Sequence, residues 1–122
     1  MTVDPGTLAT GFERVFAVGD VVQIKLANGL PLPKAGVMAE AQAARVAAAI
    51  VADVRGEPPP PPFDGTGHCF LETGKHTAAL IEGEFFARPE PRVALQGISE
   101  AHAEAKRRFE SERLDRWFGS AR

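Results

Sequence analysis

The chain has 122 residues, of which 44% are hydrophobic and 25% charged, so its composition is that of one soluble globular domain and its length is too small for a complete two-domain enzyme. Its formal net charge of -2 provides no basic field to attract a polyanion, which excludes nucleic acid as an expected partner. A single cysteine excludes an intrachain disulfide, and the lack of a long apolar run or a signal-peptide pattern predicts a cytoplasmic chain.

The first half of the chain predicts a short strand followed by one long helix. Residues 15–18 form an apolar run that ends at Gly19 and Asp20, a pattern typical of a strand buried on both faces. An asparagine-glycine pair and two prolines then interrupt regular structure. Residues 36–54 are rich in alanine and apolar around most of a helical circumference, which predicts a helix packed on more than one side, and Gly56 is placed to cap it.

The next part of the chain predicts a stiff connector and a small antiparallel sheet. Five consecutive prolines at 58–62 favour an extended polyproline spacer. Residues 67–73 and 77–86 alternate partly between apolar and polar side chains, and turn residues stand at 74–75 and 82–83. Together these segments predict two or three antiparallel strands.

The end of the chain predicts a loop and a last helix. Residues 88–97 contain two prolines and are expected to form a proline-broken loop. Ser99 is placed to cap a helix that runs to about Phe118 and is closed by Gly119. The order strand, long helix, spacer, small sheet, helix indicates an α+β fold, with too few strands for a self-contained doubly wound sheet.

Two charged residues, Asp20 and Lys34, precede the long helix. Asp20 follows the predicted strand, so its carboxylate is expected at the edge where open α/β sheets bind ligands. Lys34 directly precedes the helix, whose unpaired N–H groups also favour negative charge. Each residue alone has an ordinary explanation, as a turn-forming aspartate and a surface lysine. The three histidines match no compact metal-ligand spacing, so no metal is expected.

These residues carry a resemblance to a known family. The run 15–20, the motif at 33–36 and the alanine-rich helix together resemble the second FAD-binding segment of the pyridine nucleotide-disulfide oxidoreductase superfamily. The resemblance implies that Asp20 hydrogen-bonds the ribityl chain of FAD and that Lys34 approaches the pyrimidine edge of the flavin, where a cation would stabilise the reduced form and tune the redox potential. The implied cofactor-binding residues are Gly19, Asp20, Lys34, Ala35 and Gly36.

The region after the prolines narrows the resemblance. Residues 67–74 and a final helix with Lys106 and Phe109 resemble the tail of sulfide:quinone oxidoreductases and flavocytochrome c sulfide dehydrogenases. The resemblance implies that Cys69 takes sulfur from sulfide together with a cysteine of an earlier domain, and that Lys106 and Phe109 contact a quinone. Ala105 departs from the family, in which a second aromatic often stands at this position. An inert core role for Cys69 and a packing role for Phe109 stay open.

The resemblance also implies a domain organisation. Residues 1–56 would be the last strand and long helix of an FAD-binding Rossmann-like domain, residues 57–66 a proline-rich linker, and residues 67–122 a sheet-plus-helix interface domain. The chain has no Gly-x-Gly-x-x-Gly motif, so the nucleotide cradle is expected in N-terminal FAD/NAD-binding domains of the same enzyme. The expected function is two-electron transfer from sulfide to a quinone or cytochrome through FAD, with the isolated chain inactive.

Two other functions stay open. A flavoprotein similar to type II NADH dehydrogenases would leave Cys69 incidental. Alternatively, the chain standing alone would be a non-catalytic module for dimerisation or membrane docking, because an incomplete sheet leaves apolar surface that favours homo-oligomers. Leu114, Trp117 and Phe118 lie beside arginines and suit either another subunit or a membrane surface, which would make the cytoplasmic chain a peripheral membrane protein.

Overall fold

The computed structural model describes residues 1–119 and has the mixed α+β architecture that the sequence predicts. Two long helices accompany one three-stranded antiparallel sheet with strand order β1-β2-β3. The elements, in chain order, are a 3-10 turn at Gly19–Val21, α1 at Gly36–Arg55, β1 at Thr66–Gly74, β2 at Thr77–Glu84, β3 at Arg92–Ser99 and α2 at Glu100–Phe118. Among residues 1–119, neither helix is long and apolar enough to cross a bilayer.

The chain folds into two compact units. The first comprises residues 1–68 together with 83–93, and the second comprises residues 69–82 together with the described residues 94–119.

Residues 15–18 do not form the predicted strand. Only Phe16 pairs within this run, through a single antiparallel bridge to Ala9. The pairing stops because the partner segment curls back: the Leu8 N–H donates to the Asp4 carbonyl oxygen at 2.8 Å, and Leu8 itself has a φ of 63°. Without an extended partner, the apolar run cannot build a ladder. The prediction of a buried strand at this place is therefore wrong.

An extended segment after the 3-10 turn supplies much of the core of the first unit. Val22, Ile24 and Leu26 are buried, whereas the residues between them are exposed. This alternation is the period of two that an extended chain gives when one side faces the core. The segment leads into Leu32, also buried, and from there to the start of α1.

The long helix α1 was predicted almost to the residue, and Gly56 caps it in the left-handed conformation with a φ of 67°. One side of the helix is buried through Met38, Gln42, Val46 and Ala52. A second apolar side is exposed, with Val54 81% accessible. Within residues 1–119, α1 is therefore packed against the rest of the chain on one side, and the predicted packing on more than one side is not observed there.

The sheet extends further than predicted. The turn between β1 and β2 falls at 75–76, one residue later than the predicted 74–75, and Gly74, Lys75 and His76 all have positive φ. The turn predicted at 82–83 is wrong because Gly83 lies inside β2, where β3 approaches closely: a Cβ on Gly83 would lie 2.1 Å from the Arg92 carbonyl oxygen.

The loop predicted over residues 88–97 is replaced in large part by β3. Both prolines of this stretch stand before Arg92, so they precede the strand and leave its N–H groups available for pairing. Side chains reinforce the pairing with β2, since Arg92 forms an ion pair with Glu84 and Gln96 donates to Glu82. Every residue of β3 before Ser99 is exposed.

The final helix α2 begins and ends as predicted. The Ser99 hydroxyl accepts a hydrogen bond from the His102 N–H at 3.2 Å, and Gly119 closes the helix with a φ of 75°. Ala103 is the one buried residue of α2, and Trp117 and Phe118 are 62% and 80% exposed. The second unit thus has little apolar core of its own.

Candidate functional site

Most of the predicted cofactor-binding residues line one cleft in the first unit. Gly19 and Asp20 enter it from the 3-10 turn, and Lys34 and Ala35 enter it from the segment that precedes α1. Gly36 follows directly as the first residue of α1. Segments that are separate in sequence therefore meet at the amino end of the long helix.

A buried glutamine joins the two sides of this cleft. The Gly19 N–H donates to Oε1 of Gln42 at 2.7 Å, and the Gln42 side chain is only 1% exposed. Gly19 has a φ of 73°, and a Cβ there would lie 3.4 Å from the Ala39 Cβ, so the turn sits close against α1. Gln42 was not predicted as a site residue. Its signal is a single amide on the buried side of α1, where the other buried residues are methionine, valine and alanine.

Lys34 is held at the opening of the cleft. Its ammonium group donates to the carbonyl oxygen of Val22, which also lines the cleft. The N-cap of α1 is Ala35, whose side chain cannot accept a hydrogen bond from the first helical amides. An ammonium group and uncapped N–H groups therefore lie together, and both favour negative charge.

Asp20 provides the opposite charge at the same cleft. The residue is exposed, and in residues 1–119 its carboxylate has no hydrogen-bond or ion-pair partner. A carboxylate in this state accepts hydrogen bonds from hydroxyl groups of a ligand without first breaking an internal contact. The cleft thus pairs a hydrogen-bond acceptor with a cationic end.

The cleft is small. Its volume is about 10 Å³, which is roughly the space that one water molecule occupies. Such a cleft can contact the edge of a ligand but cannot enclose a ring system. Any larger ligand held here would need a second surface to cover its remaining atoms.

Cys69 is half-buried on β1 in the second unit. Its Sγ lies 3.7 Å from the carbonyl oxygen of Phe70, a weak contact for a thiol donor. A redox role for Cys69 stays a prediction.

Lys106 and Phe109 lie in different surroundings on α2. Lys106 lines a cavity of about 310 Å³ and forms an ion pair with Glu72. Hydrogen bonding from the Lys106 ammonium group holds the pKa of the Glu72 carboxyl below its usual value. Phe109 is not among the residues that line this cavity, and the Arg113 guanidinium carbon lies 3.7 Å from its ring centroid. Contact of both residues with one quinone stays a prediction.

The larger cavity is balanced in charge. Two cations, Lys106 and Arg107, line it together with two carboxylates, Glu72 and Glu110. The charged residues that line the cavity therefore cancel, and Arg107 is in addition paired with Glu104 at 2.7 Å.

No protein-family model matches the chain, and no curated protein matches it. Within the part of the chain that the structure describes, no three side chains of histidine, cysteine, aspartate or glutamate come together to hold a metal ion.

Proposed function

We propose that the chain supplies the flavin-facing part of an FAD-dependent oxidoreductase. The observation that carries the proposal is that Asp20 and Lys34 line one cleft at the uncapped amino end of α1. This combination of an acceptor and a positive end suits the two chemically distinct parts of the flavin mononucleotide half of FAD.

The positive end of the cleft suits the isoalloxazine ring. Reduced flavin carries negative charge near N1 and the adjacent carbonyl oxygen, so the Lys34 ammonium group and the first amides of α1 would stabilise the reduced state. The carboxylate of Asp20, which has no partner within residues 1–119, would accept hydrogen bonds from the hydroxyl groups of the ribityl chain.

The size of the cleft supports a half-site. A volume of about 10 Å³ matches contact with one edge of the flavin and leaves the rest of FAD to other domains. In this proposal, N-terminal FAD/NAD-binding domains of the same enzyme hold the adenine and diphosphate parts, and the exposed side of α1 faces further protein.

The proposed reaction is two-electron transfer from sulfide to a quinone or cytochrome through FAD. Cys69 would act with a cysteine of the FAD/NAD-binding domains: sulfide would attack their disulfide and leave a persulfide on one cysteine and a thiolate on the other. These two sulfurs would then join as a trisulfide bridge with loss of a proton, and the two electrons released by forming that bond would pass to the flavin. The half-buried position of Cys69 on β1 supports access to a small nucleophile.

The reaction is tested on the flavoenzyme in which this chain is joined to its FAD/NAD-binding domains. Sulfide is expected to bleach the absorbance of the oxidised flavin, and Cys69→Ser is expected to suppress the bleaching, whereas Thr73→Ser on the same strand leaves it unchanged. Bleaching by sulfide at the same rate in Cys69→Ser would remove the sulfide assignment. Bleaching by NADH and not by sulfide would favour a flavoprotein similar to type II NADH dehydrogenases.

A second candidate function is self-association, which the exposed apolar side chains of the second unit favour. Leu95 on β3 is 68% exposed, Trp117 on α2 is 62% exposed, and the buried residues of this unit are alanines. Size-exclusion chromatography of the chain with and without FAD separates the two candidates. A monomer at all concentrations would remove the self-association candidate, and an oligomer that Trp117→Gln converts to a monomer would support it.

A further inference from the structure

Two cations converge on a cavity of the first unit that shares no residue with the Asp20 and Lys34 cleft. Lys25 and Arg88 line this cavity, which has a volume of about 160 Å³. No acidic residue lines it, and within residues 1–119 neither Lys25 nor Arg88 takes part in an ion pair. The cavity therefore carries unopposed positive charge, unlike the larger, charge-balanced cavity around Lys106.

The walls of the cavity are apolar and fixed. The Phe86 ring packs edge-on against Phe63, with ring centroids 5.5 Å apart, and it lies so close to Gly65 that a Cβ there would meet the ring at 2.5 Å. Ile24 and Leu26, both buried, complete the apolar lining. An aromatic ring held on two sides offers a rigid surface for a planar ligand.

The backbone that carries Lys25 is fixed as well. Lys25 pairs with Pro31 through an antiparallel bridge, and the Leu26 N–H donates to the Leu30 carbonyl oxygen at 2.8 Å. The Leu32 N–H donates to the Ile24 carbonyl oxygen at 2.9 Å on the other side of the bridge. The position of the lysine relative to the apolar wall is thus set by the hairpin.

We infer that this cavity binds a small aromatic carboxylate, with the carboxylate between Lys25 and Arg88 and the ring against Phe86. The volume of about 160 Å³ is well above the room for one water and below the roughly 300 Å³ of the smallest drug-sized pockets, which limits the ligand to a single ring. Both cations are exposed, so each contributes through a screened interaction and not through a buried ion pair.

The inference is tested by titrating the ¹⁵N-labelled chain with benzoate, acetate and benzyl alcohol. Benzoate is expected to give saturable chemical-shift changes at the amides of residues 24–27 and 86–88, and to bind more tightly than either acetate, which lacks the ring, or benzyl alcohol, which lacks the charge. Added salt, from about 0.05 M to about 0.5 M, is expected to weaken benzoate binding.

Charge variants complete the test. Lys25→Gln and Arg88→Gln are each expected to raise the dissociation constant for benzoate by about two- to fivefold, the range for exposed ion pairs, while the matched control Lys75→Gln leaves it unchanged. Shifts that do not saturate, or an affinity for benzyl alcohol or acetate equal to that for benzoate, would overturn the inference. A benzoate affinity in Lys25→Gln and Arg88→Gln equal to that of the natural chain would also overturn it. A titration with riboflavin reports on the Asp20 and Lys34 cleft through other amides, so its result is independent of the result with benzoate.

Discussion

Replacing Gln42 by methionine tests whether the glutamine holds the Gly19-Asp20 turn on α1. Methionine has nearly the same length and shape as glutamine but offers no oxygen to the Gly19 N–H. The substitution therefore removes the 2.7 Å hydrogen bond and leaves the packing of the helix largely intact. We expect the turn to loosen and the chain to lose stability.

The size of the loss follows from the burial of the partners. Gln42 is 1% exposed and Gly19 is half-buried, so the orphaned N–H is poorly compensated by water. Leaving a buried donor unsatisfied costs about 1–3 kcal/mol. The gain from burying an apolar side chain in place of an amide offsets part of this cost, and a net loss of about 1–2 kcal/mol is expected.

Urea unfolding followed by circular dichroism measures this loss directly. The matched control is Gln23→Met, which changes an exposed glutamine whose side chain makes no hydrogen bond or ion pair within residues 1–119. This substitution should change the free energy of unfolding by no more than about 0.5 kcal/mol. A Gln42→Met variant as stable as Gln23→Met, with an unchanged Gly19 amide resonance, would refute the claim that this hydrogen bond fixes the turn.

Two further predictions concern the sheet and the amino-terminal turn. Gly83→Ala should lower the free energy of unfolding by at least about 2 kcal/mol, because the added Cβ would lie 2.1 Å from the Arg92 carbonyl oxygen. A Cβ added at Gly97 would have no atom within 4 Å, so Gly97→Ala should change the stability in urea by no more than about 0.5 kcal/mol. Equal effects of the two substitutions would contradict the close approach of β2 and β3. Hydrogen bonds from the Thr7 hydroxyl and N–H lower the pKa of the Asp4 carboxyl, so the ionised carboxylate stabilises the folded chain. This stabilisation is present above the ordinary pKa of aspartate and is lost as the pH falls through the pKa that Asp4 has in the folded chain. Stability measured from neutral pH into the acid range should therefore fall more steeply in the natural chain than in Asp4→Asn, and parallel profiles would contradict this.

Local signals in the sequence were sufficient to predict where both helices begin and end. Both helices end at glycines with positive φ, and α2 begins at a serine cap, so residues within one turn of each end decide the boundaries. The strands depend on partners distant in sequence. Residues 15–18 are apolar enough for a strand but meet a partner that turns, and β3 forms in a predicted loop because β2 continues through Gly83 to pair with it.

The candidate site was predictable only in part. The charges of Asp20 and Lys34 can be recognised in the sequence, but their shared cleft depends on how the chain between them folds back to the amino end of α1. Gln42 could not be assigned from its position alone, because an amide inside a helix usually faces solvent. Its role follows from the burial of its side chain and from the Gly19 N–H that points to it.

An anaerobic titration of the ¹⁵N-labelled chain with reduced and oxidised riboflavin tests the flavin half-site most directly. Riboflavin has the ring system and the ribityl chain but no phosphate, and its three fused rings exceed the single ring to which the volume of the Lys25 and Arg88 cavity limits a ligand. The proposal predicts shifts at the amides of residues 19–20 and 35–37, tighter binding of the reduced form, and a loss of that preference in Lys34→Gln but not in Lys75→Gln. Absence of shifts at these amides, or the same preference in Lys34→Gln, would contradict it.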